Sequence, residues 1–205
     1  MPASPSPAPS TMSAAASLSE GSSHVLLLLD IQRFMLSAPP IGVPSAKTVE
    51  KNLREVLKLA RSSPHPPLIV HVRNIGDAGE PDEPGNDGWQ LIFDPLPNEV
   101  VLDKRKNNAF AGTGLGELVP LDAEIVVVGF QTDFSVRATC GTALGRGNEV
   151  ILVRGAHATF DRIEVLHGGG VTAAAVIEAE IEAELEEAGV HILEMKDIAY
   201  SWVDR

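Results

Sequence analysis

The stretch His24-Val-Leu-Leu-Leu-Leu-Asp30 decides the fold. Five consecutive apolar residues leave no polar face for water, so a strand made of them is covered on both sides, as in a parallel sheet. The carboxylate of Asp30 ends the run. Leu68-Ile-Val-His-Val72, Val100-Val-Leu102, Glu124-Ile-Val-Val-Val-Gly129, Val150-Ile-Leu-Val153 and Val190-His-Ile-Leu193 are five further short apolar runs. Helical periods separate several of them. Val49, Leu53, Val56, Leu57 and Ala60 share one face of a helix over 46–62, with Ser45 as its candidate N-cap and Pro64, Pro66 and Pro67 beyond its end. A second helix is expected over 133–146. A third, over 172–188, has Thr172 as cap, Val176, Ile177, Ile181 and Leu185 facing inward, and Gly189 at the left-handed C-terminal position. Its dense glutamates, Glu178, Glu180, Glu182, Glu184, Glu186 and Glu187, are expected on a solvated outer face. Strands alternating with helices give right-handed crossovers, hence a three-layer, doubly wound α/β fold with a six-stranded, mostly parallel sheet.

Composition narrows the function classes. The 205 residues carry a net charge of −12, which repels nucleic acid and anionic membranes alike. No stretch approaches the roughly 18 consecutive apolar residues of a membrane-spanning helix. Cys140 is the one cysteine, so neither an internal disulfide nor a cysteine zinc site is expected, and a reducing, cytoplasmic setting fits. Residues 1–23, rich in Pro, Ser and Ala, lack the basic start and apolar stretch of a secretory signal; they are expected to form a disordered tail ahead of a folded domain over 24–205. No GxGxxG turn follows the first strand and no GxxxxGK[ST] loop occurs, so no nucleotide cofactor is expected.

In a parallel sheet, ligands bind beyond the carboxyl ends of the strands. Asp30 sits at such an end, in an apolar surround where a carboxylate is either paired or raised in pKa, as suits a general acid or base; capping the next segment is an equal alternative. Lys104 follows another strand, within Lys104-Arg105-Lys106, a patch that, taken alone, a surface role explains better than a catalytic one. Gly129-Phe-Gln-Thr-Asp-Phe-Ser-Val136 joins a strand to a helix, a place where backbone N–H groups hold an oxyanion and a side chain acts as nucleophile. The 75–98 segment, dense in Gly, Pro and Asp, is a loop long enough to be functional.

Three blocks, in order, resemble the isochorismatase-like cysteine hydrolases over nearly all of residues 24–195. Val25-Leu-Leu-Leu-Leu-Asp-Ile-Gln-Arg-Phe34 is similar to the family's opening strand and D-x-Q-x-x-F turn. Asp103-Lys-Arg-Lys-Asn-Asn-Ala-Phe-Ala-Gly-Thr-Gly-Leu115 is similar to its lysine block, and Val126 to Thr139 to its "vvvG-x-x-T-x-x-C-V-x-x-T" block. The resemblance implies a Rossmann-like hydrolase with Asp30 as general base, Lys104 stabilising negative charge and position 135 carrying the nucleophile. It also implies an oxyanion hole from the N–H groups of Gln131 and Ser135, a cis peptide at Phe130–Gln131, and homo-oligomers.

This chain departs from the pattern where the family's amide hydrolases have cysteine: it has Ser135. A thiolate is accessible near neutral pH, whereas a serine hydroxyl needs a well-aligned base. Cys140 lies off the helix face of position 135 and is expected to be a packing residue. Two readings stay open. Either Ser135 is native and the reaction is an isochorismatase-type vinyl ether cleavage driven by protonation, or Ser135 stands in by an engineered Cys→Ser change for the nucleophile of an amide (C–N) hydrolase. A catalytically inactive binding homologue is a third alternative. Gln32, Phe34, Trp89, Phe110 and His157 are candidates to line a pocket for a small-molecule substrate. His71 has no matching D-x-H motif, so a packed histidine and no metal are expected.

Overall fold

The computed structural model describes residues 23–165 and 168–200. The expected tail therefore falls outside the described residues, Ser23 excepted. Among the described residues there are eight strands: β1 (His24–Leu29), β2 (Leu68–Asn74), β3 (Val100–Lys104), β4 (Glu124–Phe130), β5 (Glu149–Ala158), β6 (Arg162–Glu164), β7 (Gly170–Thr172) and β8 (His191–Glu194). Three long helices accompany them: α1 (Ala46–Ser62), α2 (Arg137–Arg146) and α3 (Ala174–Ala188). Six strands form one sheet in the order β3-β2-β1-β4-β5-β8, and every pairing within it is parallel.

The alternation of the pleat sorts the core into two layers. Leu26, Leu28, Val126, Val128, Ile151 and Val153 face α1, where Val49, Leu53, Val56, Leu57 and Ala60 are buried against them. Val25, Leu27, Leu29, Ile125, Val127 and Leu152 point to the other side, onto Cys140 and Ala143 of α2 and Ile177, Ile181 and Leu185 of α3. Both faces of β1 are thus covered, which is why its sequence is apolar without interruption from Val25 to Leu29. Strand order reverses between β1 and β4, the crevice where open α/β sheets bind ligands.

Several expectations are corrected. The third helix begins at Ala174, because Thr172 belongs to β7, the second strand of a small antiparallel hairpin with β6 that the sequence did not reveal. Its first turn is capped by Asp161, whose Oδ1 accepts the Ala174 N–H at 2.8 Å. Val176 is 49% exposed, not inward-facing. Of the glutamates, Glu182 is only 8% exposed, because it falls four residues after Glu178 on the side that meets the end of β5. Ser45 precedes α1 without a side-chain cap bond. β5 runs to Ala158 rather than stopping at Val153, which carries it along the last residues of β4: Gly129 pairs with His157 and Phe130 with Ala158.

Candidate active site

Three strand ends deliver the expected trio to one place. Asp30 follows β1, Lys104 ends β3, and Ser135 lies in a π-helical turn (Thr132–Val136) between β4 and α2. Lys104 Nζ is 2.9 Å from Asp30 Oδ1, 3.0 Å from Oδ2 and 3.0 Å from Ser135 Oγ. The Ser135 hydroxyl donates a hydrogen bond to Asp30 Oδ2. All three residues are 2% exposed or less. Burial pushes the Asp30 carboxyl above its ordinary value, an effect partly offset by the Lys104 charge and by hydrogen bonds from Ser135 and Lys104.

Backbone strain is concentrated here. Asp30 (φ 52°) and Gln131 (φ 63°) are the two non-glycine residues with positive φ among the described residues, and they follow the adjacent strands β1 and β4. Such a conformation costs of order 1–3 kcal/mol and persists only where surrounding structure enforces it. The left-handed Gln131 makes the turn into the helix; the Phe130–Gln131 bond is not cis, as the one cis bond among the described residues joins Pro39 and Pro40. This corrects the expectation of a cis bond at 130–131. The Gln131 carbonyl accepts the N–H groups of Phe134 (3.0 Å) and Val136 (3.2 Å), which closes the turn around Ser135. Just upstream, Gly129 has φ 132°, and a Cβ there would lie 2.0 Å from the Leu29 carbonyl oxygen. The close approach of β4 to β1 therefore requires glycine.

A second layer of polar residues was not anticipated. Asn74, at the end of β2, has Oδ1 3.4 Å from Lys104 Nζ and donates through Nδ2 to Asp82 Oδ2 at 2.7 Å. Asp82 is 5% exposed and its charge adds to the upward push on Asp30. Asn74 was in principle legible, since it too stands at a strand end; Asp82, inside the long loop, carries no local signal.

The pocket candidates separate. Gln32 is fully buried: its Nε2 donates to the Asn74 and Trp89 carbonyls (3.0 and 3.1 Å), and its Oε1 accepts the Asn74 N–H (2.9 Å). It ties β2 to the 75–98 loop. Trp89 stacks under the Arg73 guanidinium at 3.5 Å, and its buried indole N–H has no hydrogen-bond partner among the described residues. Phe34 is packed in the α1-side core, and Phe110 lies under Arg146 at 4.7 Å. His157 is 2% exposed and both ring nitrogens meet protein groups, Thr132 Oγ1 at 3.0 Å and Glu182 Oε1 at 3.1 Å. The structure brings together Asp30, Lys104, Ser135 and Gln131; it seats Gln32 and His157 behind them, in bonds to the protein itself.

Cys140 is wholly buried, its thiol pushed up to about 12 by desolvation. His71 is held by Glu99 Oε2 at 2.8 Å, and its pKa is lowered by burial. Among the described residues no group of three His, Cys, Asp or Glu side chains is arranged to hold a metal ion.

An acid, an amine and a serine-bearing turn meet at the switch point of a parallel sheet, and comparison with known proteins gives the family. The Isochorismatase domain model matches residues 24–176, and the chain belongs to that family. Two streptothricin hydrolases of Streptomyces noursei are 38% and 39% identical to it over 143 and 144 residues, 67% of this chain in each case. Those matches cover 55% and 50% of the relatives, so the chain spans about half their length. A Pseudomonas putida isochorismatase structure superposes with a TM-score of 0.76 at 28% identity, covering 93% of this chain and 99% of that one. The pyrazinamidase of Pyrococcus horikoshii, solved in complex with zinc, shares the fold alone, at a TM-score of 0.64 and 22% identity over 84% of this chain and 99% of that one. No helix among the described residues is long and apolar enough to cross a membrane.

Proposed function

We propose that the protein is a hydrolase that cleaves an amide-type C–N bond of a small molecule through the side chain at position 135. The observation that carries this reading is the contact of Ser135 Oγ with both Asp30 and Lys104, all three of them buried. The streptothricin hydrolase relatives support the bond type. In the mechanism, Asp30 takes the proton of the nucleophile as it attacks the carbonyl carbon. The buried Lys104 ammonium steadies the negative charge that results. The N–H groups of Gln131 and Ser135 receive the oxyanion. Asp30 returns the proton to the departing amine, and water then releases the acyl group by the same route in reverse.

Position 135 sets the rate. A carboxylate is a weak base for a serine hydroxyl and an adequate one for a thiol. Ser135→Cys, assayed over a panel of small amides, is expected to exceed the serine form; no gain would end the amide reading. A second reading is favoured by the upward push on Asp30, which suits protonation of a vinyl ether. Ser135→Ala separates the two: vinyl ether cleavage survives the loss of the hydroxyl, and amide cleavage does not. Asp30→Asn with no loss of activity would favour an inactive binding homologue.

We also propose a homo-oligomer and a cytoplasmic setting. A lone, wholly buried cysteine accords with the latter. The residues ahead of β1 remain proposed as a tail to a domain over 24–205.

A further inference from the structure

Two hydrogen-bond chains run from α3 to the turn that carries Ser135. In the first, Glu182 Oε1 accepts from His157 Nε2 at 3.1 Å, and His157 Nδ1 lies 3.0 Å from Thr132 Oγ1. A carboxylate only accepts, so Nε2 bears the proton, and in the neutral ring Nδ1 accepts from the Thr132 hydroxyl. In the second, Glu178 Oε1 accepts the Thr159 N–H at 3.0 Å, and the Thr159 hydroxyl donates to Asp133 Oδ1 at 2.5 Å. The chains start one helical turn apart on α3, pass the end of β5 two residues apart, and finish on consecutive residues of the turn. Thr132 and His157 are buried, at 0% and 2% exposure, and Glu182 at 8% is held from outside by Arg154 at 2.7 Å. Nothing in the chemistry at Asp30, Lys104 and Ser135 uses these groups.

We propose that His157 and Glu182 are positioning residues: through Thr132 they hold the strained Gln131–Val136 turn so that the side chain at 135 meets Lys104 and Asp30. The inference rests on the proposed role of position 135. It accounts for the inward-facing pair Glu178 and Glu182 in an otherwise solvated row, and for the extension of β5 along the last residues of β4. A buried histidine engaged at both nitrogens is poorly placed to touch substrate and well placed to fix a neighbour's orientation.

Ser135→Cys supplies a probe that needs no substrate. The ultraviolet absorbance of the thiolate, followed across pH, reports the pKa of the introduced thiol without a reagent having to enter a buried site, while Cys140, its thiol pushed up to about 12 by burial, stays protonated. With the clamp intact, Lys104 is expected to hold the thiol at position 135 below the ordinary thiol value. Adding Thr132→Val, which keeps the shape and removes the hydroxyl, or Glu182→Gln is expected to raise the midpoint by about one pH unit, roughly tenfold less thiolate. Adding Thr132→Ser is expected to leave it where the clamp holds it. A midpoint unmoved by Thr132→Val and Glu182→Gln, with only the melting temperature lowered, would overturn the positioning role and leave the site intact. An ordinary thiol midpoint in the Ser135→Cys protein itself would instead remove the site reading, and the clamp's purpose with it. Loss of the circular dichroism signal identifies unfolded variants, and Thr132→Val, the smallest change, then decides.

Discussion

At the scale of the residue, Asp30 carries the argument because its environment pulls in two directions. Desolvation favours the neutral acid; Lys104 and the Ser135 hydroxyl favour the carboxylate, and the balance lies above the ordinary value of 3.8. If the carboxylate is the working form, activity rises with pH through a midpoint above 3.8, and the acid limb of a kcat/KM profile measures it. Asp30→Asn keeps the shape and removes the base. It is expected to lower turnover by about 10²–10⁴-fold, the usual contribution of general acid–base catalysis, with the circular dichroism spectrum unchanged. Asp30 was legible in the sequence because a carboxylate ending a run of leucines needs a partner. What the chain could not show was the strain: positive φ at Asp30 and Gln131 follows from how β1 and β4 abut, and the turn there is left-handed rather than cis.

At the scale of the element, legibility followed periodicity. β1, β4 and α1 are deeply buried elements with unambiguous patterns, and the sequence placed them within a residue or two. The β6–β7 hairpin has three-residue strands in a Gly-rich stretch and no period to detect, so its residues looked like the approach to a helix. The α3 glutamates show the opposite failure: charge suggested solvent, while His157 and Thr159 at the end of β5 drew Glu182 and Glu178 inward. Two predictions belong here. Gly129→Ala forces a methyl group to 2.0 Å from the Leu29 carbonyl in a backbone conformation that L side chains avoid. A loss of about 3 kcal/mol or more in a denaturant melt is expected, the upper end of the cost of a strained backbone conformation. Glu182 titrates the other way from Asp30. Its burial is outweighed by hydrogen bonds from His157 and Arg154 and by the Arg154 charge, which lower its pKa from 4.5. Its contribution to stability is therefore present above pH 4.5 and disappears as pH falls through its lower folded value. Glu182→Gln removes this part of the pH dependence, so melting temperatures of the two proteins measured from neutral pH downward should converge in acid.

At the scale of the whole molecule, the sheet explains why a few short runs were enough. Once strands alternate with helices, handedness and burial leave few arrangements, and the reversal of strand order between β1 and β4 fixes where Asp30, Lys104 and Ser135 meet. The same scale explains what lies away from it. The β6–β7 hairpin stands outside the main sheet with Ile163 68%, Val165 78% and Val171 65% exposed. Beside it, Pro39, Pro40, Pro44 and Phe160 continue an apolar groove. Apolar side chains clustered in water mark a contact surface, and a two-stranded sheet has unpaired edges that a second copy of itself can extend with matching twist. If the proposed homo-oligomer assembles through this face, its partner is this chain again. Ile163 and Val171, both exposed, face each other in the hairpin register, so charge at both should repel a second copy without touching either core layer. Ile163→Lys with Val171→Lys is expected to shift the native mass spectrum from a multiple of 21.7 kDa to the single chain, while melting of the monomer stays cooperative. An unchanged multimer would move the interface elsewhere, and a parent protein that is already a single chain would remove the oligomer altogether.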